Sequence, residues 1–204
     1  MPRSNRVEPF PRASLTKRGS AALRRGLLAL WLLLPLAGAT AQPKPSEYDV
    51  KAAYLFNFGK FMRLSGGTGE AHRANFEICI LGRDPIGHVL DDITANESID
   101  NRAVRVMRIG DAPAARGCDV VFISADEGEG MAADLAALGR ADVLTVSDAP
   151  DFLKHGGMIQ FVMQGDHVRF AVNLDAVDRT HLILSSELLR VASSVMGTPP
   201  EEQP

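Results

Sequence analysis

The chain has 204 residues, 46% of them hydrophobic, with 22 basic residues, 25 acidic residues and two cysteines. Seven of the basic residues and one acidic residue precede Gln42, leaving 15 basic against 24 acidic, a net charge of −9, from there on. An acidic body of about 160 residues suits one domain with a sizeable core and argues against binding the phosphate backbone of nucleic acid.

The chain opens with Arg3, Arg6, Arg12, Lys17, Arg18, Arg24 and Arg25, continues with the apolar run Gly26 to Gly38 (GLLALWLLLPLAG), and reaches the small-x-small triplet Ala39-Thr40-Ala41. Basic, apolar and cleavage regions in that order describe a secretory signal peptide over residues 1–41, cut after Ala41. The alternative is an uncleaved anchor, but the run is much shorter than the ~20 residues that span a bilayer. Arg24-Arg25 hints at twin-arginine export, although its surroundings fit ordinary secretion better. Export puts Cys79 and Cys118 in an oxidising compartment. A bridge between them would close a loop of about 40 residues; two separately buried thiols are the alternative.

A domain over residues 42–197 is expected to follow, with Thr198 to Pro204 (TPPEEQP) as a disordered tail. After a polar leader, Ser46-Glu47-Tyr48-Asp49 offers a capping box that opens a helix through Arg63. Val50, Tyr54, Phe58, Phe61 and Met62 form its apolar stripe. The stripe reads as core, with a partner-docking face as the alternative, carried by Phe58 and Phe61. Ser65 to Ala74 (SGGTGEAHRA) is a loop without phosphate-loop spacing. Phe76 to Leu81 is a strand, followed by Gly82-Arg83-Asp84-Pro85 and a helix through Ile93. Strands are predicted at Arg102 to Ile109, at Asp119 to Ile123, which is apolar enough to be buried on both faces, and at Val143 to Val146. Both cysteines are placed in strands. A helix is predicted over Gly130 to Leu138 and a helical turn over Pro150 to Lys154. Strands alternating with helices argue for a three-layer α/β domain with a mainly parallel sheet.

The hairpin Gly156 to Asn173 adds antiparallel strands at the C-terminal side. Gly165-Asp166 suits a two-residue type II′ turn. That turn sets Gln164 opposite His167, Met163 opposite Val168, Phe161 opposite Phe170 and Ile159 opposite Val172. The register gathers Ile159, Phe161, Met163, Val168, Phe170 and Val172 on one apolar face, and a one-residue slip would turn them outward. Asp175 is expected to cap a turn over Ala176 to Thr180. Ser185 is expected to cap a final helix with Leu188, Ala192 and Val195 on its core face.

The residues carry little chemistry. His72, His88, His155, His167 and His181 show no metal-binding spacing and read as surface histidines, and no G-x-S-x-G elbow is present. No metal and no cofactor are expected. Gly82-Arg83-Asp84-Pro85 lies at a strand-to-helix junction, where Arg83, Asp84 and the strand-end Ser124 could line a small-ligand pocket. Such junctions are common in α/β folds. A phospho-receiver is excluded, because Asp84 stands alone and Ser124 ends the third strand where the phosphorylatable Asp belongs. A hydrolase using Ser185 or Ser186 is the remaining catalytic alternative.

Taken together, the helix Tyr48-Asp49-Val50-Lys51-Ala52-Ala53-Tyr54-Leu55-Phe56-Asn57-Phe58, the strand Cys79-Ile80-Leu81-Gly82, and Cys118-Asp119-Val120-Val121-Phe122-Ile123 resemble the YfiR family. Gly156-Gly157-Met158-Ile159, Phe170-Ala171-Val172-Asn173-Leu174 and Ser185-Ser186-Glu187-Leu188-Leu189 extend the resemblance over Tyr48 to Ala192. The resemblance implies a periplasmic, non-enzymatic repressor that holds an inner-membrane diguanylate cyclase inactive through its periplasmic sensor domain. It further implies an outer-membrane lipoprotein able to sequester the repressor, a homodimer, and a disulfide between Cys79 and Cys118. The family's further cysteine pair is absent here. Its first helix often ends in an aromatic-Pro pair, where this chain has Phe61-Met62-Arg63-Leu64. Arg179 and Arg190, near the final helix, join Phe58 and Phe61 as candidate partner contacts. A periplasmic small-molecule-binding module is the alternative function.

Overall fold

The computed structural model describes residues 44–65 and 73–197. The signal peptide, the cleavage site, His72, most of the Ser65–Ala74 loop and the tail from Thr198 lie outside the described residues.

Helix α1 (Glu47–Lys60) starts on the expected capping box: the Asp49 amide donates to Ser46 Oγ at 3.2 Å, and the Ser46 amide donates to Asp49 Oδ2 at 2.7 Å. It stops three residues before Arg63. Met62, Arg63 and Leu64 instead form strand β1 (Met62–Leu64), antiparallel to β9 (Leu182–Leu184), with Arg63 opposite Ile183. Their inward–outward alternation has the period of a strand, and a partner strand across the chain overrides the helical stripe.

The main sheet has the order β10-β8-β7-β6-β5-β2-β4-β3. Its parallel centre comprises β2 (Asn75–Leu81), β4 (Arg102–Ile109), β5 (Val120–Ile123), β6 (Leu144–Ser147) and β7 (Ile159–Gln164). Strands β3 (Ser98–Ile99) and β8 (His167–Asn173) pair antiparallel with β4 and β7. All four residues of β5 are buried, as its unbroken apolar run requires of a central strand. The hairpin has the expected register from Ile159–Val172 to Gln164–His167, and Gly165 takes the positive φ (62°) that a type II′ turn demands at its first position.

Alternation along the strands builds two cores. On one face, Phe76, Ile78, Ile80, Val120, Phe122, Leu144, Val146, Phe161 and Phe170 meet α1 and helix α2 (His88–Thr94). On the other, Cys79, Leu81, Val121 and Ile123 meet the 3-10 helix η1 (Ala112–Gly117), helix α3 (Met131–Leu138) and Phe152. Helix, sheet and helix are the three expected layers. Tyr54 and Phe58 of α1 pack on Phe161 and Phe170 with ring centroids 5.0–6.0 Å apart, each such pair adding ~0.5–1.5 kcal/mol beyond its buried area. At the sheet's N-terminal end, Asp119 accepts from buried Arg102 at 2.9 Å and from the Glu77 amide at 2.7 Å, fixing β2, β4 and β5 in register.

Four details differ from expectation. Met163 is 49% exposed, because the hairpin tip projects beyond the α1 surface that covers Phe161. Asn173, not Asp175, caps the short helix α4 (Leu174–Val177), its side-chain oxygen accepting from the Ala176 amide at 3.2 Å. Ser185 caps α5 as expected, but α5 covers only Ser186–Val191. The chain then extends into β10 (Ser194–Met196), which pairs parallel with β8 and leaves Val195 exposed. Cys118 precedes β5 at the end of η1 and does not lie in a strand. Over residues 150–156 the expected turn forms, the Lys154 and His155 amides donating to the Asp151 carbonyl at 2.8 and 3.2 Å.

Candidate functional site

The two cysteines form a disulfide, with Cα atoms 6.0 Å apart and 39 residues of separation. Both are almost fully buried in the core beneath η1. The bond ties β2 to the entry of β5, which are neighbours in the parallel sheet.

Chain order reverses between β2 and β5, because β4 lies on one side of β2 and the next strand, β5, on the other. Ligands of open α/β sheets favour such a crevice at the strand C-termini. Arg83 and Ser124 flank it here, and Asp126 occupies them both. Arg83 makes an ion pair with Asp126, and Ser124 Oγ donates to the same carboxylate at 3.5 Å. Asp84 turns the other way. Its Oδ1 accepts from the Ile86 and Gly87 amides at 2.9 Å each, and its Oδ2 accepts from Arg108 Nε at 2.9 Å. The structure thus joins Arg83 to Ser124 but separates Asp84 from both, and the cation that would hold an anionic ligand is neutralised internally.

Beside this crevice, Lys51 is buried. Its ammonium lies 2.6 Å from both Asp148 and Glu47 and 4.5 Å from the Tyr48 ring centroid. Burial opposes its charge, yet the bonds to Asp148 and Glu47 outweigh that and hold its pKa above the ordinary lysine value. Asp148 Oδ1 is buried without a hydrogen-bond partner among the described residues. Burial also raises the Tyr48 phenol, reinforced by the charge of Asp148. Lys51 escaped notice in the sequence because it sits among Phe-stripe residues; the i, i+4 spacing from Glu47 was the available signal.

The candidate partner residues separate. Phe58 is fully buried in the aromatic cluster and has no surface to offer a partner. Phe61 follows the end of α1 and is 39% exposed, and its carbonyl accepts from the Ser185 amide at 2.9 Å. That bond brings Phe61 beside the start of α5. Glu187, in the first turn of α5, has its carboxyl held below the ordinary value by its own amide and by Ser185, with Arg190 and Arg63 adding weaker attraction. Phe61, Arg63 and Ile183 therefore share one exposed flank, Arg63 opposite Ile183 in the strand pair, and Glu187 with Arg190 gives its margin charges of both signs. Arg63 and Ile183 were missed because they belong to β1 and β9, whose pairing is not local. Arg179 is exposed, with its guanidinium beside Gly156.

Among the described residues, no helix is long and apolar enough to cross a membrane, and no group of three or more His, Cys, Asp or Glu side chains could hold a metal ion. The model of the family described as YfiR/HmsC-like matches residues 48–193. A solved structure, a conserved domain protein from Vibrio cholerae O1 biovar El Tor, is similar in fold, with a TM-score of 0.52 at 9% identity over 74% of this chain. The chain spans 60% of the length of that protein. A search of curated proteins returned no match.

Proposed function

The chain belongs to the YfiR/HmsC-like family of periplasmic regulators of diguanylate cyclase signalling, and from that premise we propose that it represses an inner-membrane diguanylate cyclase by binding the enzyme's periplasmic sensor domain. The observation that carries this reading is the extent of the match, which runs from the first turn of α1 to just beyond α5 and so takes in nearly every described element. The family is regulatory rather than catalytic. In this reading the chain is exported, loses residues 1–41, acts as a homodimer and is released from the cyclase when an outer-membrane lipoprotein sequesters it.

The flank built from Phe61, Ile183, Arg63 and Arg190 supports contact with a protein partner. It combines exposed apolar side chains with arginine, the composition favoured at interface centres. Arg179 is retained as a more distant candidate. The test is a crosslinking pull-down from membranes together with a cyclic di-GMP measurement. Deleting the gene should raise cyclic di-GMP, and restoring the wild-type chain should lower it. Reversing charge at both Arg179 and Arg190 should reduce capture of the cyclase while leaving the melting temperature within ~1–2 °C of wild type, as surface changes do. Unchanged cyclic di-GMP on deletion would refute repression, and wild-type capture by the double reversal would remove this flank.

A further inference from the structure

Strand β8 is only half covered on its outer side. Strand β10 pairs with it from Ala171 to Asn173, and among the described residues no strand pairs with His167 to Arg169 on that side. Two bonds fix which way the backbone points. The Asn173 amide donates to the Met158 carbonyl at 2.8 Å, so the odd-numbered residues of β8 turn toward β7. The Phe170 carbonyl accepts from the Ser193 amide at 2.8 Å, so the even-numbered residues turn toward β10. Val168 therefore aims its N–H and C=O at the open edge, and a stretch of this kind is a template for another strand.

A groove of about 610 Å³ lies along the same stretch. His167, Val168 and Arg169 all line it, although successive side chains of a strand point to opposite faces, so the groove follows the edge of the strand itself. Its other wall is apolar, made by Val50 and Tyr54 of α1, with Met163 at the hairpin tip. The charges at its rim are paired internally, Lys44 with Asp166 at 2.5 Å and Glu47 with Lys51 at 2.6 Å. An uncharged, apolar group suits this side of the edge. Arg169 projects to the opposite sheet face, exposed, and among the described residues it has no carboxylate partner. An acidic group suits that side.

We infer that an extended segment of another protein adds to β8 here as a further strand. Its backbone pairs with Val168, an apolar side chain enters the groove, and an acidic neighbour reaches Arg169 on the other face. Alternation along the added strand sends two consecutive side chains to those two faces, and main-chain pairing beside a side-chain pocket is how sheet edges recognise peptides. A second copy of this chain cannot serve through the same strand, because its own Val168 and Phe170 are buried in its core. The inference rests on this edge and not on the proposed cyclase partner or the Phe61 flank, so either can fail without the other.

The test titrates the isotope-labelled exported chain with the acetylated, amidated peptide Thr-Glu-Leu-Glu-Thr and follows backbone amide shifts by NMR. Saturable shifts should centre on Val168, with slower hydrogen exchange at its amide. N-methylating the peptide leucine removes the N–H that faces Val168, and replacing it by serine empties the groove; each should weaken binding at least tenfold. Arg169→Glu should reverse the charge preference, so that the peptide with lysines in place of both glutamates binds better. Met163→Asp should weaken binding at least tenfold, whereas Met196→Asp, at an exposed methionine on β10, should leave it unchanged. Melting temperatures of all variants establish that they are folded. No saturable shift, shifts centred on Phe61 and Ile183, or equal binding of the peptide with and without the N-methyl group would overturn the inference.

Discussion

Removing the Cys79–Cys118 bond tests how much of this fold depends on a constraint that acts outside the native state. The bridge closes a loop with 39 residues of separation. In the chain-entropy model, a loop of that size restricts the unfolded ensemble by ~4 kcal/mol. For a domain of roughly 150 residues, each kcal/mol shifts the melting temperature by ~2–4 °C, so loss of the bridge should lower it by ~8–16 °C. Both sulfurs belong to almost fully buried residues, so a reductant reaches them only through opening of the domain. The measurement is therefore a thermal melt, followed by circular dichroism, of protein unfolded, reduced and refolded under reductant, with thiol alkylation confirming that reduction is complete. The Cys79→Ala, Cys118→Ala double variant should fall by a similar amount, plus a small packing loss. A decrease below ~3 °C in fully reduced protein would refute the loop-entropy reasoning. A large decrease confined to the alanine variant would assign the effect to packing instead.

Two further perturbations probe ion pairs at the C-terminal ends of the parallel strands. Lys51→Met leaves the largely buried Asp148 without its cation and should cost ~3–5 kcal/mol in urea unfolding, the usual loss on breaking a buried pair; adding Asp148→Leu should restore most of it, and no recovery would count against the pair. Arg108 donates to Asp91 at 2.6 and 2.7 Å and holds that carboxyl below its ordinary value. A depressed folded-state pKa contributes stability above the unfolded value near 4 and loses it as pH falls through the folded value, so the melting gap between wild type and Arg108→Gln should be full above about pH 5 and shrink toward pH 3. A gap that stays constant to pH 2.5 would refute this.

The parts legible in the sequence are those whose signal is local. Ser46 to Asp49 contains the whole capping box of α1, and Gly165-Asp166 with its flanking alternation contains the hairpin register. Val120 to Ile123 could hardly be anything but a central strand. The disulfide was only one of two readings of the residues until the family resemblance was added, because spacing says nothing about whether two side chains meet. The Arg83–Asp126 pair was hidden for a related reason. It joins residues 43 positions apart, across the reversal of chain order between β2 and β5, and that strand order is not written in either segment.

Among the missed elements, the three-residue strands are of one kind, and two of them, β1 and β9, build the exposed flank. Strands β1, β9 and β10 are three residues each, too short for intrinsic propensity to decide, and each exists because another segment satisfies its backbone. Phe61-Met62-Arg63-Leu64 has a helical neighbour on one side, so a stripe continued from α1 put Phe58 and Phe61 on one face. Pairing with Leu182–Leu184 ends that stripe at Lys60. Phe58 then belongs to the core and Phe61 to the exterior, although they are only three positions apart. The same pairing sets Arg63 opposite Ile183 and brings the Ser185 amide to the Phe61 carbonyl, so the exposed flank is made by a nonlocal contact rather than by any contiguous motif. Sequence changes at Leu182 or Leu184, which are buried, can therefore reshape that flank without touching a residue exposed on it.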